Sequence, residues 1–304
     1  MCRPIVLSVL LGGLAVSAPA LAQTGSVPQR TDDNLIVAAY NIQWLGQKTH
    51  DLDKLATVIQ HFDVCGIIEI KAESALPALV EALETKTGKD WGYTFGTRTH
   101  RPNARYHTHR YHEAYGAVWR RDRVQLGDGL IGGIWDLEEA FRNDPYVVSF
   151  KRRGFDFSLI LVHTRWSDDE EGSRANEVAM LAHQLDWMQS FLPEEDILLA
   201  GDFNYSGTAE VMVKLAQNAD LFQLDANPKS TFKTDGSAYA NSYDHIYAPN
   251  GRTEHEWLNI CETLDVTELV YGGMSPAEML AAREELSDHL PVFAVFDVSK
   301  SDDD

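Results

Sequence analysis

The sequence predicts a single layered domain of the α/β or α+β class. Short apolar, strand-like runs alternate with helical segments along one unbroken chain, and no repeat or proline- and serine-rich linker divides them. The 304 residues are 44% hydrophobic and 24% charged, which excludes a mainly disordered, collagenous or coiled-coil chain. Three cysteines are too few for a disulfide scaffold.

The first residues have the pattern of a secretory signal peptide. Arg3 supplies a positive charge, residues 5–16 are apolar, and residues 20–22 (Ala-Leu-Ala) form a small-x-small cleavage site. The apolar stretch is too short to anchor the chain across a membrane. We therefore expect residues 1–22 to be removed and the mature protein to be secreted, either extracellular or periplasmic.

The predicted strands are apolar runs bounded by polar residues, and the predicted helices have apolar residues at helical spacing. The strands are residues 35–40, 64–70, 115–119, 146–150, 157–163, 197–200 and 290–298. The helices are residues 52–61, 75–85, 173–188, 209–218 and 277–285. Thr208 is expected to cap the fourth helix, and Ser275 with Glu278 predicts a capping box at the start of the fifth.

The domain is expected to span residues 23–298, and residues 299–304 are interpreted as a solvated acidic tail. The mature chain would keep Cys65 and Cys261. Export permits a disulfide between them, whereas the position of Cys65 inside an apolar run is typical of a buried free thiol. The sequence leaves both interpretations open.

Polar residues stand at the ends of six strand-like runs, where a rigid sheet would hold them at an open rim. Any one of them has a common structural explanation, such as a turn carboxylate or a hydrogen-bonded structural histidine. Together, and drawn only from Asn, Glu, Asp and His, they indicate a functional site. They are Asn41, Glu69, His163, Asp202, Asn204, Asp244, Asp288 and His289.

These segments resemble, in order, the motifs of the endonuclease/exonuclease/phosphatase superfamily, and within it the deoxyribonuclease I-like secreted nucleases. The matching motifs extend over nearly the whole mature chain and include Gly201-Asp202-Phe203-Asn204 and Ser287-Asp288-His289-Leu290-Pro291. Residues 111–115 and 144–148 resemble the deoxyribonuclease I branch specifically. The resemblance implies a four-layered sandwich of two packed mixed β-sheets flanked by helices.

The resemblance also implies a divalent metal. Asn41, Glu69 and Asp288 would supply the oxygen ligands that suit Mg²⁺, with Mn²⁺ as an alternative. The acidic run at residues 168–171 is interpreted as a solvated loop, with a structural Ca²⁺ site as the alternative.

Two histidine–carboxylate pairs, His163 with Glu113 and His289 with Asp244, are implied as the groups that exchange protons near neutral pH. Which histidine is the base and which the acid stays open. Asp202 and Asn204 would bind the metal, or hold the attacking water and a phosphate oxygen. Such a set can neutralise and protonate the groups that form when a phosphodiester is hydrolysed.

DNA contacts are expected from Lys71 and Tyr111, which match positions where relatives of this branch touch DNA in the minor groove. The alternative for Lys71 is a solvated lysine at a strand end. The segment 96–112 contains no acid and four arginines, although the formal charge of the chain is −20 and becomes −21 without Arg3. Arginines there could bind backbone phosphates without sequence preference, although an inert solvated run or a histidine-rich metal loop are alternatives. The four arginines are Arg98, Arg101, Arg105 and Arg110.

Two departures from the branch pattern are visible. Asn143 stands where relatives usually have an arginine, which questions one phosphate contact, and Arg142 lies one place earlier. The segment 205–208 lacks the cysteine pair often found soon after Gly-Asp-Phe-Asn, so this loop must be held in another way.

We therefore expect a secreted, monomeric, metal-dependent endonuclease that cleaves DNA with little sequence preference and does not bind membranes stably. The alternative is a secreted phosphodiesterase acting on phospholipid head groups, because residues 130–135 could form a membrane-dipping hairpin. We interpret that segment instead as a buried turn and strand. A catalytically inactive binding module is disfavoured, since no position of the metal and histidine set is replaced.

Overall fold

Two six-stranded β-sheets stack face to face in the computed structural model, which describes residues 26–96, 113–134, 140–168, 173–190 and 196–301. The first sheet comprises β1 (Asn34–Leu45), β2 (Val64–Ile70), β3 (Trp91–Phe95), β4 (Ala114–Arg120), β11 (Trp257–Thr263) and β12 (Val292–Asp297), in the order β11-β12-β1-β2-β4-β3. The second comprises β5 (Gln125–Gly133), β6 (Tyr146–Arg152), β7 (Phe155–His163), β8 (Ile197–Asp202), β9 (Leu221–Gln223) and β10 (Asp244–Pro249), in the order β5-β6-β7-β8-β10-β9.

Helices cover the outer face of each sheet. The first sheet packs against α1 (Leu52–Ile59), α2 (Ala75–Thr87), α5 (Val266–Tyr271) and α6 (Pro276–Glu285). The second packs against α3 (Arg174–Gln189) and α4 (Glu210–Asn218). Both sheets contain parallel and antiparallel pairs, for example β1 parallel to β2 and antiparallel to β12. The predicted four-layered sandwich of two mixed sheets is therefore confirmed.

Strand β1 shows why its apolar run is continuous. Its side chains alternate between two cores, with Ile36 and Ala38 facing the helices and Leu35 and Val37 facing the second sheet. A strand buried on both faces needs apolar residues at every position. The polar residues that follow, from Asn41 onward, lie where this strand reaches the rim of the sandwich.

Most of the predicted elements are present with shifted ends, and the capping box of Ser275 and Glu278 is confirmed. The sequence did not predict β3, β9, β10, β11 and α5, and it predicted only the last part of β5; these elements are short or lie near the edges of the sheets. The predicted cap at Thr208 was wrong. Helix α4 begins after Ala209 without a side-chain cap, while the Thr208 hydroxyl bonds the Ser206 hydroxyl at 3.0 Å.

The segment beginning at residue 130 is a strand, as predicted, but its first side chains are exposed, whereas the prediction was that they are buried. Leu130 and Ile131 are each 48% exposed, because β5 is the edge strand of the second sheet. Ile134, by contrast, is buried. The two cysteines left open by the sequence are both free and buried, with Cys65 in the core under the helices and Cys261 between the sheets.

Several sequence predictions lie outside the described residues. These are the signal peptide, the four arginines and Tyr111 in the segment 97–112, residues 169–172 of the acidic loop, and residues 302–304. Asp168, the described part of the acidic loop, accepts a hydrogen bond from the backbone N–H of Arg174 at 2.8 Å. Among the helices of the described ranges, none is long and apolar enough to cross a membrane.

Gly201 of β8 has no room for a side chain beside β7. Its φ is +144°, and a Cβ there would lie 2.1 Å from the carbonyl oxygen of Val162. The parallel register places Val162 beside Gly201 and, one step further, His163 beside Asp202. Glycine is therefore required at this point to bring two candidate site residues together.

We predict that Gly201→Ala lowers the free energy of unfolding by about 3 kcal/mol or more, since it combines backbone strain with a backbone clash. The control is Gly251→Ala, where φ is +72° and nothing lies within 4 Å of the new Cβ. That change should cost only the strain, about 1 kcal/mol. Urea unfolding of both variants measures the difference, and equal losses would contradict the clash.

Candidate active site

Polar side chains from both sheets converge on a cleft of about 220 Å³ at one end of the sandwich. The parallel pairs β1–β2 and β7–β8 end at this edge, so residues following their apolar runs are brought together. The cleft is lined by Glu69, Lys71, Glu113, His163, Asp202, Asn204, Asp288 and His289, among others. Asn41 and Asp244 lie directly behind this lining and contact it.

His163 is held by a buried carboxylate. Its Nδ1 donates to Glu113 Oε1 at 2.5 Å, and the same oxygen accepts a hydrogen bond from the amide of Asn143 at 2.8 Å. Burial alone would lower the pKa of His163, but the Glu113 carboxylate raises it to about 10. Burial acts to raise the pKa of Glu113, whereas His163 and Lys71 hold it below its ordinary value. The Nε2 atom of His163 is left facing the cleft.

His289 is held in the same way. Its Nδ1 donates to Asp244 Oδ2 at 2.8 Å, and that carboxylate also accepts from the Ser230 hydroxyl at 2.6 Å. Burial acts to lower the pKa of His289, yet Asp244 and then Asp202 raise it well above its ordinary value. Both predicted histidine–carboxylate pairs are therefore formed.

Asp202 lies between the two imidazoles. Its Oδ2 is 3.6 Å from His163 Nε2 and 3.5 Å from His289 Nε2. The amide of Asn41 donates to that oxygen at 3.1 Å, and the backbone N–H of Asn204 donates to Oδ1 at 2.9 Å. The two histidines thus present the same ring nitrogen toward one shared carboxylate.

The residues around Glu69 fit a hard divalent cation. Asn41 Oδ1 is buried and has no hydrogen-bond partner among the described residues, while its amide donates to Glu69 Oε1 at 2.9 Å. Burial, and then the neighbouring Glu113 carboxylate, raise the pKa of Glu69. A cation bound beside Glu69 would offset both effects. An unsatisfied amide oxygen beside such a carboxylate is the kind of donor set that Mg²⁺ binds.

Asp288 lies on the wall of the cleft. Its Oδ2 accepts a hydrogen bond from the side-chain amide of Gln43 at 2.7 Å and lies 3.9 Å from the Arg283 guanidinium. Glu69 also groups with Glu113 and His163, and Asp202 with Asp244 and His289, closely enough that either set could hold an ion. The assignment of Asn41, Glu69 and Asp288 as ligands stays a prediction.

Lys71, the predicted DNA contact within the described residues, is placed in the cleft. Its ammonium lies 3.2 Å from Glu113 Oε2, and the side chain is 9% exposed. Asn143, the departure from the branch pattern, holds Glu113 through its amide, and Arg142 lines the cleft beside it. The role of Lys71 toward DNA stays a prediction.

Several supporting residues escaped the sequence reading, because their partners are remote in the chain. Asn143 and Ser230 orient the two carboxylates that hold the histidines. Ser287 donates to the backbone carbonyl of Asn41 at 2.6 Å and accepts from the backbone N–H of His289 at 3.1 Å. Ser287 carried a signal as part of one of the quoted motifs, and Asn143 was noted only as a departure from the branch pattern, without this role.

The loop after Asn204, which lacks the cysteine pair, is held by a buried histidine. His245 Nε2 donates to the carbonyl oxygens of Tyr205 at 3.0 Å and Ser242 at 3.1 Å, and Nδ1 lies 3.0 Å from Asp225 Oδ1. The Gln223 side-chain amide nitrogen also lies 3.1 Å from Nδ1. Burial acts to lower the pKa of His245, but Asp225 raises it above its ordinary value. The ring ties together the two segments that carry Asn204 and Asp244.

We predict that His245→Gln lowers the free energy of unfolding by about 3 kcal/mol at pH 6, because it breaks a buried ion pair. A raised folded-state pKa contributes its full stabilisation below the unfolded value of about 6.5 and loses it as pH rises through the folded value. The deficit should therefore shrink at pH 9. Denaturant unfolding at both pH values measures it, with exposed His183→Gln as the control; a pH-independent deficit would contradict the ion pair.

Comparisons with known proteins agree with this geometry. Residues 38–289 match the Endonuclease/Exonuclease/phosphatase family. A protein named Deoxyribonuclease, from Thioalkalivibrio sp. (strain K90mix), is 27% identical over 280 residues, which cover 89% of this chain and 73% of that protein.

Solved structures share the fold. D. rerio TDP2 complexed with single strand DNA product superposes with a TM-score of 0.58 at 13% identity, covering 87% of this chain and 99% of that one. A mannosyl-6-phosphatase from Bacteroides thetaiotaomicron gives a TM-score of 0.55 at 16% identity, covering 86% and 98%. The fold, the converging site and the match over residues 38–289 together show that this chain belongs to the endonuclease/exonuclease/phosphatase family of hydrolases.

Proposed function

We propose that this chain is an exported, Mg²⁺-dependent endonuclease that hydrolyses phosphodiester bonds of DNA with little sequence preference. The observation that carries the proposal is the pair of carboxylate-held histidines, whose Nε2 atoms lie 3.6 Å and 3.5 Å from the shared Asp202. Export is proposed from the signal-peptide pattern of residues 1–22.

The two histidines supply the two proton transfers that hydrolysis needs. Water adds to phosphorus and gives its proton to one histidine in its neutral form. The bond from phosphorus to one sugar oxygen breaks, and the other histidine, as an imidazolium, protonates that oxygen. Glu113 and Asp244 fix each ring through Nδ1, so that Nε2 carries the exchanging proton. Asn204 can steady a phosphate oxygen or the water in the same cleft.

A divalent ion bound by Glu69 and Asn41, with Asp288 on the cleft wall, would neutralise the charge that develops on the phosphate. The surrounding carboxylates otherwise oppose an approaching phosphate. An ion there would therefore strengthen substrate binding as well as support the reaction.

DNA is favoured as the substrate by the relative named Deoxyribonuclease and by the likeness to a protein bound to a single-strand DNA product. The acid-free, arginine-bearing segment 96–112 precedes Glu113 in the chain and could contact the backbone beside the site. Contacts to the phosphate backbone do not select particular bases, which fits low sequence preference.

A second candidate is hydrolysis of a phospholipid head group. The exposed side chains of Leu126, Leu130 and Ile131 on the edge strand β5 could rest on a lipid surface. A panel of plasmid, single-stranded DNA, RNA and sphingomyelin, each with Mg²⁺ and with EDTA, separates the two. Consumption of sphingomyelin alone would overturn the nuclease proposal in favour of the lipid one.

We predict that His163→Ala and His289→Ala each lower turnover on plasmid by about a hundredfold or more, the scale expected for loss of a general acid or base. The control is His183→Ala, an exposed histidine on α3. Circular dichroism should report an intact fold in all three. A variant of His163 or His289 that keeps half of the wild-type turnover would remove that residue from the mechanism.

We predict that Glu69→Gln raises the Mg²⁺ concentration needed for half-maximal activity at least about tenfold, because it removes a charged ligand. Binding of Mn²⁺ to the protein without substrate, followed by electron paramagnetic resonance, should weaken in parallel. Glu81→Gln, an exposed change of the same charge on α2, is the control. Unchanged metal affinity would show that Glu69 is not a ligand.

A further inference from the structure

Two tryptophan side chains of the cleft are exposed to solvent. Trp44 is 49% exposed and Trp166 is 66% exposed, and both line the cleft together with Glu69 and His163. An indole is a large apolar surface, and folding normally buries most of it. Aromatic surface left open beside polar groups is typical of a ligand-binding site.

The backbone at Trp44 is strained in a way that directs this side chain outward. Its φ is +56°, a left-handed conformation that is unfavourable for a bulky residue. The strand register shifts between Asn41 and Leu45, and such bulges re-aim side chains. The backbone N–H of Trp44 donates to Glu69 Oε2 at 3.3 Å. The structure keeps this strained conformation, and the indole it carries lines the cleft.

Trp166 projects from a rigid base. The backbone N–H of the preceding Arg165 donates to the buried Glu177 carboxylate at 2.7 Å. The Thr164 hydroxyl donates to the carbonyl oxygen of Phe203 at 2.5 Å. An exposed ring on an anchored segment loses little conformational freedom when a ligand binds.

The charge of the cleft limits how far electrostatics can hold a nucleic acid. Glu69, Glu113, Asp202 and Asp288 all line it, together with the cations Lys71, Arg142 and Arg165. The Lys71 ammonium lies 3.2 Å from Glu113 and the Arg165 guanidinium 3.7 Å from Glu177, so both already face a carboxylate. Carboxylates repel backbone phosphates and partly offset these cations, so contacts that do not depend on charge would add to the affinity. Stacking on aromatic rings provides such contacts.

We propose that Trp44 and Trp166 stack against unpaired bases flanking the scissile phosphate and make single-stranded DNA the preferred substrate. This inference rests on the proposed nuclease function and narrows its substrate class. Bases in a duplex are already stacked on their neighbours and present no free face to an indole. In a single strand every base has a free face, so the preference is for strandedness and not for sequence.

The experiment compares Trp44→Gly, Trp166→Ala and the control Trp187→Ala on three substrates with Mg²⁺. Trp187 is 43% exposed on α3, outside the cleft lining. Glycine at position 44 accepts the left-handed backbone, so this variant should unfold at the wild-type temperature or above. The substrates are a single strand, its duplex, and a single strand of the same length whose sugars lack bases.

We expect KM on the base-carrying single strand to rise about fivefold or more in each cleft variant, since stacking contributes about 1–3 kcal/mol per base. KM on the duplex and on the baseless strand should change less than about twofold, and Trp187→Ala should match the wild type. Equal changes on all three substrates would mean a structural role and overturn the proposal. No change on any substrate would overturn it as well.

Binding in EDTA separates this inference from the nuclease proposal. The probe is a fluorescein-labelled single strand, followed by anisotropy. Binding that weakens in both cleft variants supports stacking even if the wild type cleaves no DNA, which would defeat the nuclease proposal alone. If the wild type cleaves DNA but neither Trp44→Gly nor Trp166→Ala changes the binding affinity or KM, the stacking proposal alone is defeated. A wild type that neither binds nor cleaves DNA would defeat both.

Discussion

The buried hydrogen bond from the Asn41 amide to Asp202, at 3.1 Å, joins the two sheets at the edge where the candidate active site lies. Asn41 belongs to β1 of the first sheet, and Asp202 ends β8 of the second. The described interior between the sheets is made mainly of apolar side chains, which favour contact but specify little about register. A directional polar contact fixes that register. The same Asn41 amide also donates to Glu69, so this contact between the sheets positions the candidate metal-binding residues as well.

Each histidine–carboxylate pair crosses from one sheet to the other. Glu113 directly precedes β4 of the first sheet and holds His163 at the end of β7, while Asp244 of β10 holds His289, which precedes β12. Proton-transfer geometry therefore depends on the stacking of the sheets as much as on any single loop. The fold and the chemistry are coupled, because neither pair can form until both sheets have docked.

The sequence predicted those features that depend on short-range pattern. The run from Val64 to Ile70 predicted its strand correctly, and polar residues at strand ends predicted where the site would form. Contacts such as Asn143 to Glu113 could not be predicted, because they join residues that are remote in the chain and carry no pattern of their own. The exposure of Trp44 depends on a register shift that only the paired strand reveals.

The two buried thiols bear on how this fold responds to its surroundings. Cys65 and Cys261 lie in different cores, and burial raises the pKa of both thiols, so neither is a nucleophile in the folded chain. No covalent bond between them holds the described residues together, so reductants leave this part of the architecture unchanged. Either thiol can react with an alkylating reagent only after its core opens. The rate of that labelling therefore reports separately how often the helix-covered layer and the space between the sheets become accessible to water.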